Sequence, residues 1–544
     1  MAMRITTKMM QNTSLRNLNV NKQRQEMLTN QMATGKKITR PSDDPVTAIR
    51  SLKLNASLDK IDQYYERNAK DAQSWLELTD KAISTVADIL GGQDGMRQLL
   101  VQAANSYNEN KDINSIVENL VNLAAEVYSV GNADSAGRSL FTGYRTDLPL
   151  TFIEDKTETY KITEQLTNLD MDKMTYVGTG CLKELNEGNF NSQDANGYLM
   201  NTTEYDVTTN DIYRFRLAYN NLDGVDAKTD KHGNTYIPEI KFEYGKFIGK
   251  EADPTDANYT KYSTADGSIK VYLEASEDAY MEAVNNPDAV VYIASTGELL
   301  LGKDVKQAVS ELEHDVEIRI SYEKTNWQKN DLDPVHYFYT EREHELQERW
   351  LEYNEKFLED PTASGRQIIE YDIGNNQTIR INTTADELFS HGIGRDIEEL
   401  KRMVDDNNTL IANLETINTL IESNKYEGDD LKQLELQKAA LEKAKTYSED
   451  KIYSRLNNLI TVFDGYLEDV SSATTNCGSR GSRLELIQNR LGTQQTNYKE
   501  LVSRNEDADY SELVVQLSSI KMTYEAALSS ISYVMQTSLL DYIR

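Results

Sequence analysis

Apolar residues near both ends of this chain recur in alternating steps of four and three, and that spacing restricts the fold more than any other feature. Leu54, Leu58, Ile61, Tyr65, Ala72, Trp75, Ala82, Val86 and Ile89 follow it, with Asn68 and Thr79 filling the gaps. Gly91, Gly92 and Gly95 interrupt the run; Ile113, Val117, Leu120, Ala124 and Val127 resume it, and Gly131 is a natural stop. Towards the other end the same steps appear in Leu410, Leu414, Ile417 and Ile421, then in Ile452, Leu456, Leu459, Phe463, Tyr466 and Val470. They restart at Leu484, Ile487 and Leu491 after the stretch CGSRGS. A mean repeat of about 3.5 residues marks helices whose seam faces another helix.

The last helical run carries two stripes. Leu513, Leu517, Ile520, Tyr524, Ala527, Ile531 and Val534 form one, and Leu528, Met535, Leu539 and Tyr542 run beside it. Ile5, Leu15, Leu18, Leu28 and Met32 are the apolar positions of the first forty residues that belong with them. One helix cannot bury two adjacent stripes against a single partner, so these helices need several neighbours, in a bundle or a packed assembly.

Between the helical ends the texture changes, from about Leu148 to Phe389. Short alternating segments such as IYRFRLAY, IPEIKFEYGKFI, SIKVYLEA, AVVYIAS, VEIRISYEK and QTIRINTT are separated by turn residues. This is the signature of an antiparallel β region. A helical interruption is expected at YTEREHELQERWLEYNEKFLED. The fold class read from the residues is α+β: an elongated antiparallel α-helical coiled-coil rod formed by the N- and C-terminal segments, with a β-rich central insertion.

A hard break lies near the start. Gly35 is a natural left-handed helix stop, and Pro41 opposes continuation. Asp44 can cap the next helix with Pro45 at its first position, where a missing N–H costs least, while Ser42 and Asp43 compete for the capping role.

Composition narrows the functional classes. The 544 residues carry a formal net charge of −31, which disfavours nucleic acid and anionic membranes as partners. No stretch approaches the length of a membrane span, and the basic first forty residues lack the apolar core of a secretory signal. Cys181 and Cys477 have no metal-like spacing, and one disulfide between them stays open. The segment HELQE, His344 to Glu348, approaches a zinc-peptidase helix, but Glu348 stands where the second histidine is needed. No phosphate or dinucleotide loop is present, so no cofactor, metal site or catalytic residue is expected.

The N-terminal stretch RITTKMMQNTSLRNLNVNKQRQEMLTNQMATGKKITRPSDDPVTAI strongly resembles the start of bacterial flagellin-family proteins. Within that family, GKKITRPSDDP is more similar to members at the hook–filament junction than to filament flagellins. GNADSAGRSLFTGYRTDLPLTF, SRGSRLELIQNRL and SRNEDADYSELVVQLSSIKMTYEAALSSISYVMQTSLLDYI extend the resemblance, which covers about the first 150 and last 70 residues. It is weaker at IEYDIGNNQTIRINTTADELF. Glu506, Asp507, Ala508 and Asp509 match a recurring joint in the family.

The resemblance implies five segments: an N-terminal polymerisation helix over 1–40, an N-terminal helical rod over 41–147, and a β-rich variable insertion of one or two lobes over 148–390. A C-terminal helical rod over 391–508 and a C-terminal polymerisation helix over 509–544 complete it. It implies a structural subunit, not an enzyme, that self-assembles into a junction ring. Its partners would be another hook-associated protein, flagellin, and a cytosolic export chaperone at the C-terminal helix. It would be exported without a cleaved signal peptide to the extracellular flagellum. Filament flagellin is the alternative, followed by an enzyme or adhesin displayed on the insertion.

Overall fold

The computed structural model describes residues 7–105, 110–178, 188, 190, 203–254, 256, 258–313, 316–343, 349–359 and 367–540. The chain divides into two compact units. One comprises Met1–Gln73, Tyr371–Ile379 and Ser482–Arg544; the other comprises Ser74–Glu370 and Arg380–Gly481. The α-helices are α1 (Thr7–Thr34), α2 (Pro45–Asp62), α3 (Lys70–Gly91), α4 (Met96–Ala103), α5 (Asn110–Val130), α6 (Glu277–Asn285), α7 (Lys303–Ser310), α8 (His391–Glu422), α9 (Asp429–Glu506) and α10 (Tyr510–Leu540).

In the first unit, α1 packs against α10. Its α2 runs into a seven-residue π-helical stretch, Gln63–Ala69, before α3 begins. Such wide turns displace side chains from the ordinary helical register. Here Asn68 Nδ2 donates to the Asp372 carbonyl at 2.7 Å, and Tyr371 Oη donates to Asp71 at 2.5 Å. These bonds tie the turn between two paired strands, numbered β18 (Glu370–Gly374) and β19 (Gln377–Arg380), to the helices. From α9, Arg490 donates to Gln377 Oε1 at 2.6 Å.

The second unit holds the remaining strands. A small hairpin joins β1 (Asp134–Ser135) to β2 (Arg138–Ser139). The six-stranded sheet runs in the order β11 (Thr260–Ser263), β8 (Lys241–Gly245), β15 (Glu317–Trp327), β3 (Lys156–Leu166), β16 (Tyr339–Glu343) and β17 (Trp350–Tyr353), antiparallel throughout. The five-stranded sheet runs β12 (Ile269–Tyr272), β13 (Val290–Ile293), β14 (Glu298–Leu301), β5 (Thr208–Arg216), β4 (Asp172–Gly178). Two short hairpins, β6 (Lys228–Thr229) with β7 (Thr235–Tyr236) and β9 (Phe247–Ile248) with β10 (Glu251–Ala252), complete the set.

One hydrophobic cluster spans both sheets, with Ile162, Phe242, Ile318 and Ile320 from the first meeting Phe215, Tyr292 and Leu299 from the second. The two sheets are therefore the layers of a single sandwich. The second face of the five-stranded sheet is covered by α6, where Tyr280 and Ala283 pack on Ile212, Val291 and Leu300. That double cover explains why β13 (VVYI) and β14 (ELLL) are buried at every position instead of alternating.

Three sequence expectations need correction. The segment expected to interrupt the β region as a helix instead forms β16, paired with β3, and β17, paired with β16 at the sheet edge. Tyr339, Thr340, Trp350 and Tyr353 suit a pleated surface, and their spacing offers no helical apolar stripe. HELQE itself lies outside the described residues. The β region is not wholly antiparallel: β12 pairs parallel with β13, and α6 is the crossover that a parallel pair requires. The stretch CGSRGS is no break either, because α9 continues through it for 78 residues in all. Ala473 and Cys477, both buried, carry the four-three seam from Val470 to Leu484.

Candidate assembly surface and its joint

Two helix breaks meet in the first unit. After α1, Gly35 turns left-handed at φ +70°, where a β-carbon would be strained. Its carbonyl accepts from the Ala508 N–H at 2.9 Å, while the Lys37 N–H donates to the Glu506 carbonyl at 2.6 Å. Lys36 and Asp507 thus form an antiparallel bridge between the two breaks.

Side chains reinforce that bridge. Lys36 Nζ contacts Asp507 Oδ1 at 2.6 Å and Glu506 Oε2 at 3.2 Å. Glu506 Oε1 also accepts from Ser51 and, at 2.6 Å, from Asn55, both on α2. The Ser51 hydrogen bond, then those of Asn55 and Lys36, hold the Glu506 carboxyl below its usual range against the opposing effect of partial burial. Lys36 first, then Ser503, lower Asp507 in the same way. Asp44 caps α2, its Oδ1 accepting from Val46 N and Thr47 N, with Pro45 at the first helical position. Asp43 is engaged elsewhere, accepting from Arg40 N at 2.9 Å. Asp509 caps α10 through Ser511 N and Glu512 N. Pro41 and Ser42 are exposed in the intervening turn.

Of the apolar positions read from the sequence, Leu28 and Leu513 are buried. Leu18, Leu517, Ile520, Tyr524 and Ile531 are half-buried. Leu15, Met32 and Leu528 instead face solvent. Ile5 lies outside the described residues, as do the side chains of Met535 and Leu539. On α1 the half-buried positions beside Leu18 and Leu28 are polar: Gln11, Ser14, Asn21 and Gln25. Such a seam gives the pair little hydrophobic stabilisation. Meanwhile Met9, Met10, Val20 and Met27 on α1, and Val514, Val515 and Met522 on α10, all stand exposed.

The second unit contains a buried charge network that sequence reading did not find. Arg214 on β5 is 1% exposed and contacts Glu298 at 2.7 Å, Asp172 at 3.0 Å and Glu399. Arg216 and Arg455 both bridge Asp396 and Glu399, at 2.6 to 2.9 Å. Tyr466 Oη donates to Asp396, and Tyr280 Oη to Glu298. The network fastens α8 and α9 to the five-stranded sheet. Its members lie in six separate stretches of sequence, so no local motif signals it.

Among the described residues, His391 and His336 are held by structural contacts. His391 Nε2 pairs with Tyr219 Oη at 2.9 Å, and burial lowers its pKa to about 3. His336 Nε2 meets the Pro149 carbonyl, and burial lowers its pKa to about 4. Among the described residues no group of three or more His, Cys, Asp or Glu side chains is arranged to hold a metal ion. No helix among them is long and apolar enough to cross a membrane. Cys477 is a buried free thiol, and Cys181 lies outside the described residues.

Comparison with known proteins bears on the same segments. Residues 5–146 match the bacterial flagellin N-terminal helical region, and residues 460–543 match the bacterial flagellin C-terminal helical region. Flagellar hook-associated protein 3 of Salmonella typhimurium is 27% identical over 146 residues, which is 27% of this chain and 45% of the relative. Flagellin of Clostridium tyrobutyricum is 28% identical over 128 residues, 24% of this chain and 33% of the relative. The matches thus span less than half the length of these curated relatives. The solved structure of FlgL from Xanthomonas campestris aligns over 83% of this chain and 99% of its own at 11% identity, with a TM-score of 0.28, too low to add to the description above.

Proposed function

We propose that this chain is a member of the bacterial flagellin family and a structural subunit of the flagellum, an adaptor at the junction of hook and filament. The observation that carries this reading is the presence of both flagellin terminal regions, joined to a relative named flagellar hook-associated protein 3. The segments over 1–40 and 509–544 act as polymerisation helices, and the bridge between Lys36 and Asp507 sets where each polymerisation helix meets the rod helices over 41–147 and 391–508. The exposed methionines and valines of α1 and α10 support this assignment, since sister subunits would cover them.

In this reading the subunit closes into a ring, with another hook-associated protein on one side and flagellin on the other. A cytosolic chaperone shields the C-terminal helix before export without a cleaved signal peptide to the extracellular flagellum. The role is mechanical, with no enzymatic step. Filament flagellin is the second reading, favoured by the match to the Clostridium tyrobutyricum protein. A deletion strain separates the two: loss of a junction subunit leaves hooks without filaments and flagellin spilling into the medium. Filaments lost or shortened above an intact junction would overturn the adaptor assignment in favour of flagellin.

A further inference from the structure

On the outer face of the six-stranded sheet the β6–β7 and β9–β10 hairpins flank a groove of about 390 Å³, within the range of small-molecule sites. Pairing register lays its floor out as a grid. Glu341, Lys161 and Glu323 lie side by side across three strands, and Tyr339, Thr163, Ser321 and Lys241 form the next row. Arg319 and Glu243 stand opposite each other in the row beyond. Residues opposite one another and two apart share a face, so positive and negative groups alternate across a few ångströms. At the centre, Thr163 and Ser321 hydroxyls pair at 2.9 Å and keep the floor shallow.

The charged groups are held in place before any ligand arrives. Lys161 Nζ sits 3.9 Å over the Trp350 ring, Lys250 Nζ 5.3 Å over Tyr339, and the Arg319 guanidinium 3.9 Å over Phe247. Each is a cation parked on an aromatic face. The carboxylates are oriented by phenols: Tyr236 donates to Glu323 at 2.9 Å, Tyr339 to Glu341 at 2.8 Å, and Tyr259 to Glu243 at 2.8 Å. Four cationic and four carboxylate side chains line the groove, so an anion would meet as much repulsion as attraction, and so would a cation. An apolar ligand would strip water from them without replacing its hydrogen bonds. A polyol suits this grid, because every hydroxyl can accept from a lysine and donate to the neighbouring carboxylate. Ile237, 65% exposed at the rim, offers apolar surface to the C–H face of a sugar ring.

We propose that this groove binds a neutral hexose unit of a glycan. The site lies wholly within the second unit and owes nothing to the flagellar reading, so either can fail without the other. The test is saturation-transfer NMR on the full chain with glucose, galactose, mannose and N-acetylglucosamine as separate probes, and with phosphate and glycine as competitors. At least one sugar should receive magnetisation. Ser321→Tyr, which fills the floor, should abolish it, and Lys161→Met should weaken binding at least about tenfold, while thermal melts report that both variants fold. Silence from all four sugars, persistence in Ser321→Tyr, or equal displacement by phosphate or glycine would overturn the assignment. Should Ser321→Tyr not fold, Lys161→Met decides alone, and unchanged affinity in it is equally fatal.

Discussion

Glu399 keeps a charge where only 4% of its side chain meets solvent, and three arginines make that tolerable. Burial alone would raise its pKa; Arg214, Arg455 and Arg216 override this and hold it well below the carboxylate range. Truncating one member of such a group strands the others without partners. Glu399→Ala should therefore cost about 3–5 kcal/mol in the unfolding of the second unit, read by chemical denaturation. Because the folded pKa is depressed, this stabilisation is present above the ordinary carboxylate range and fades as pH falls towards the folded value. Glu164 behaves in the opposite sense. Burial raises it to about 7, although Tyr322 and the Ala218 N–H donate to it. The folded state thus holds a proton that the unfolded state has lost between about pH 4.3 and 7, and stability falls as pH rises through that window. Glu164→Gln should be more stable than the parent by about 1–3 kcal/mol at pH 8, with the gap closing towards pH 4, as denaturation at several pH values would show. At this scale the sequence was legible only where partners are near neighbours. Asp44 with Pro45 could be read directly; Ser51 and Asn55 reaching Glu506 could not, nor could any arm of the Arg214 network, because their partners come from distant stretches.

α9 runs unbroken through Gly465, Gly478, Gly481 and Gly492. At the first three, an added β-carbon would meet nothing within 4 Å. Gly478→Ala and Gly481→Ala should each stabilise the isolated chain by about 0.5–1 kcal/mol, since glycine in a helix interior carries a larger entropic cost than alanine. Calorimetric melting would check it. The helical ends were readable because their four-three steps persist over many turns, and a local misreading at CGSRGS could not erase them. Individual β segments were readable from alternation, whereas pairing direction was not. Nothing in IKVY or VVYI announces that these strands run parallel, and α6 between them is too short for its pattern to stand out from the turns. The β16–β17 hairpin misled because its charged residues resemble a solvated helix, while its aromatics find their place only against β3.

Each of the two compact units is assembled from separated stretches of chain, the first from three and the second from two. Trp75, Trp327 and Trp350 all lie in the second, so tryptophan fluorescence follows its melting. Ile520→Asp places a charge in the half-buried seam of α10, in the first unit. It should abolish assembly into appendages seen by electron microscopy while leaving the melting of the second unit unchanged. Normal appendages from this variant, or from Ile531→Asp, would remove the basis for assigning α10 to polymerisation. The uninterrupted seam of α9 also limits how a gene for such a molecule can drift in length. One codon inserted near Arg480 would rotate Leu484, Ile487 and Leu491 by about 100° away from their partners, whereas seven would restore the register almost completely. Viable insertions and deletions along this helix should come in sevens, or in compensating pairs of threes and fours, while the surface turns of the sandwich gain and lose single residues freely.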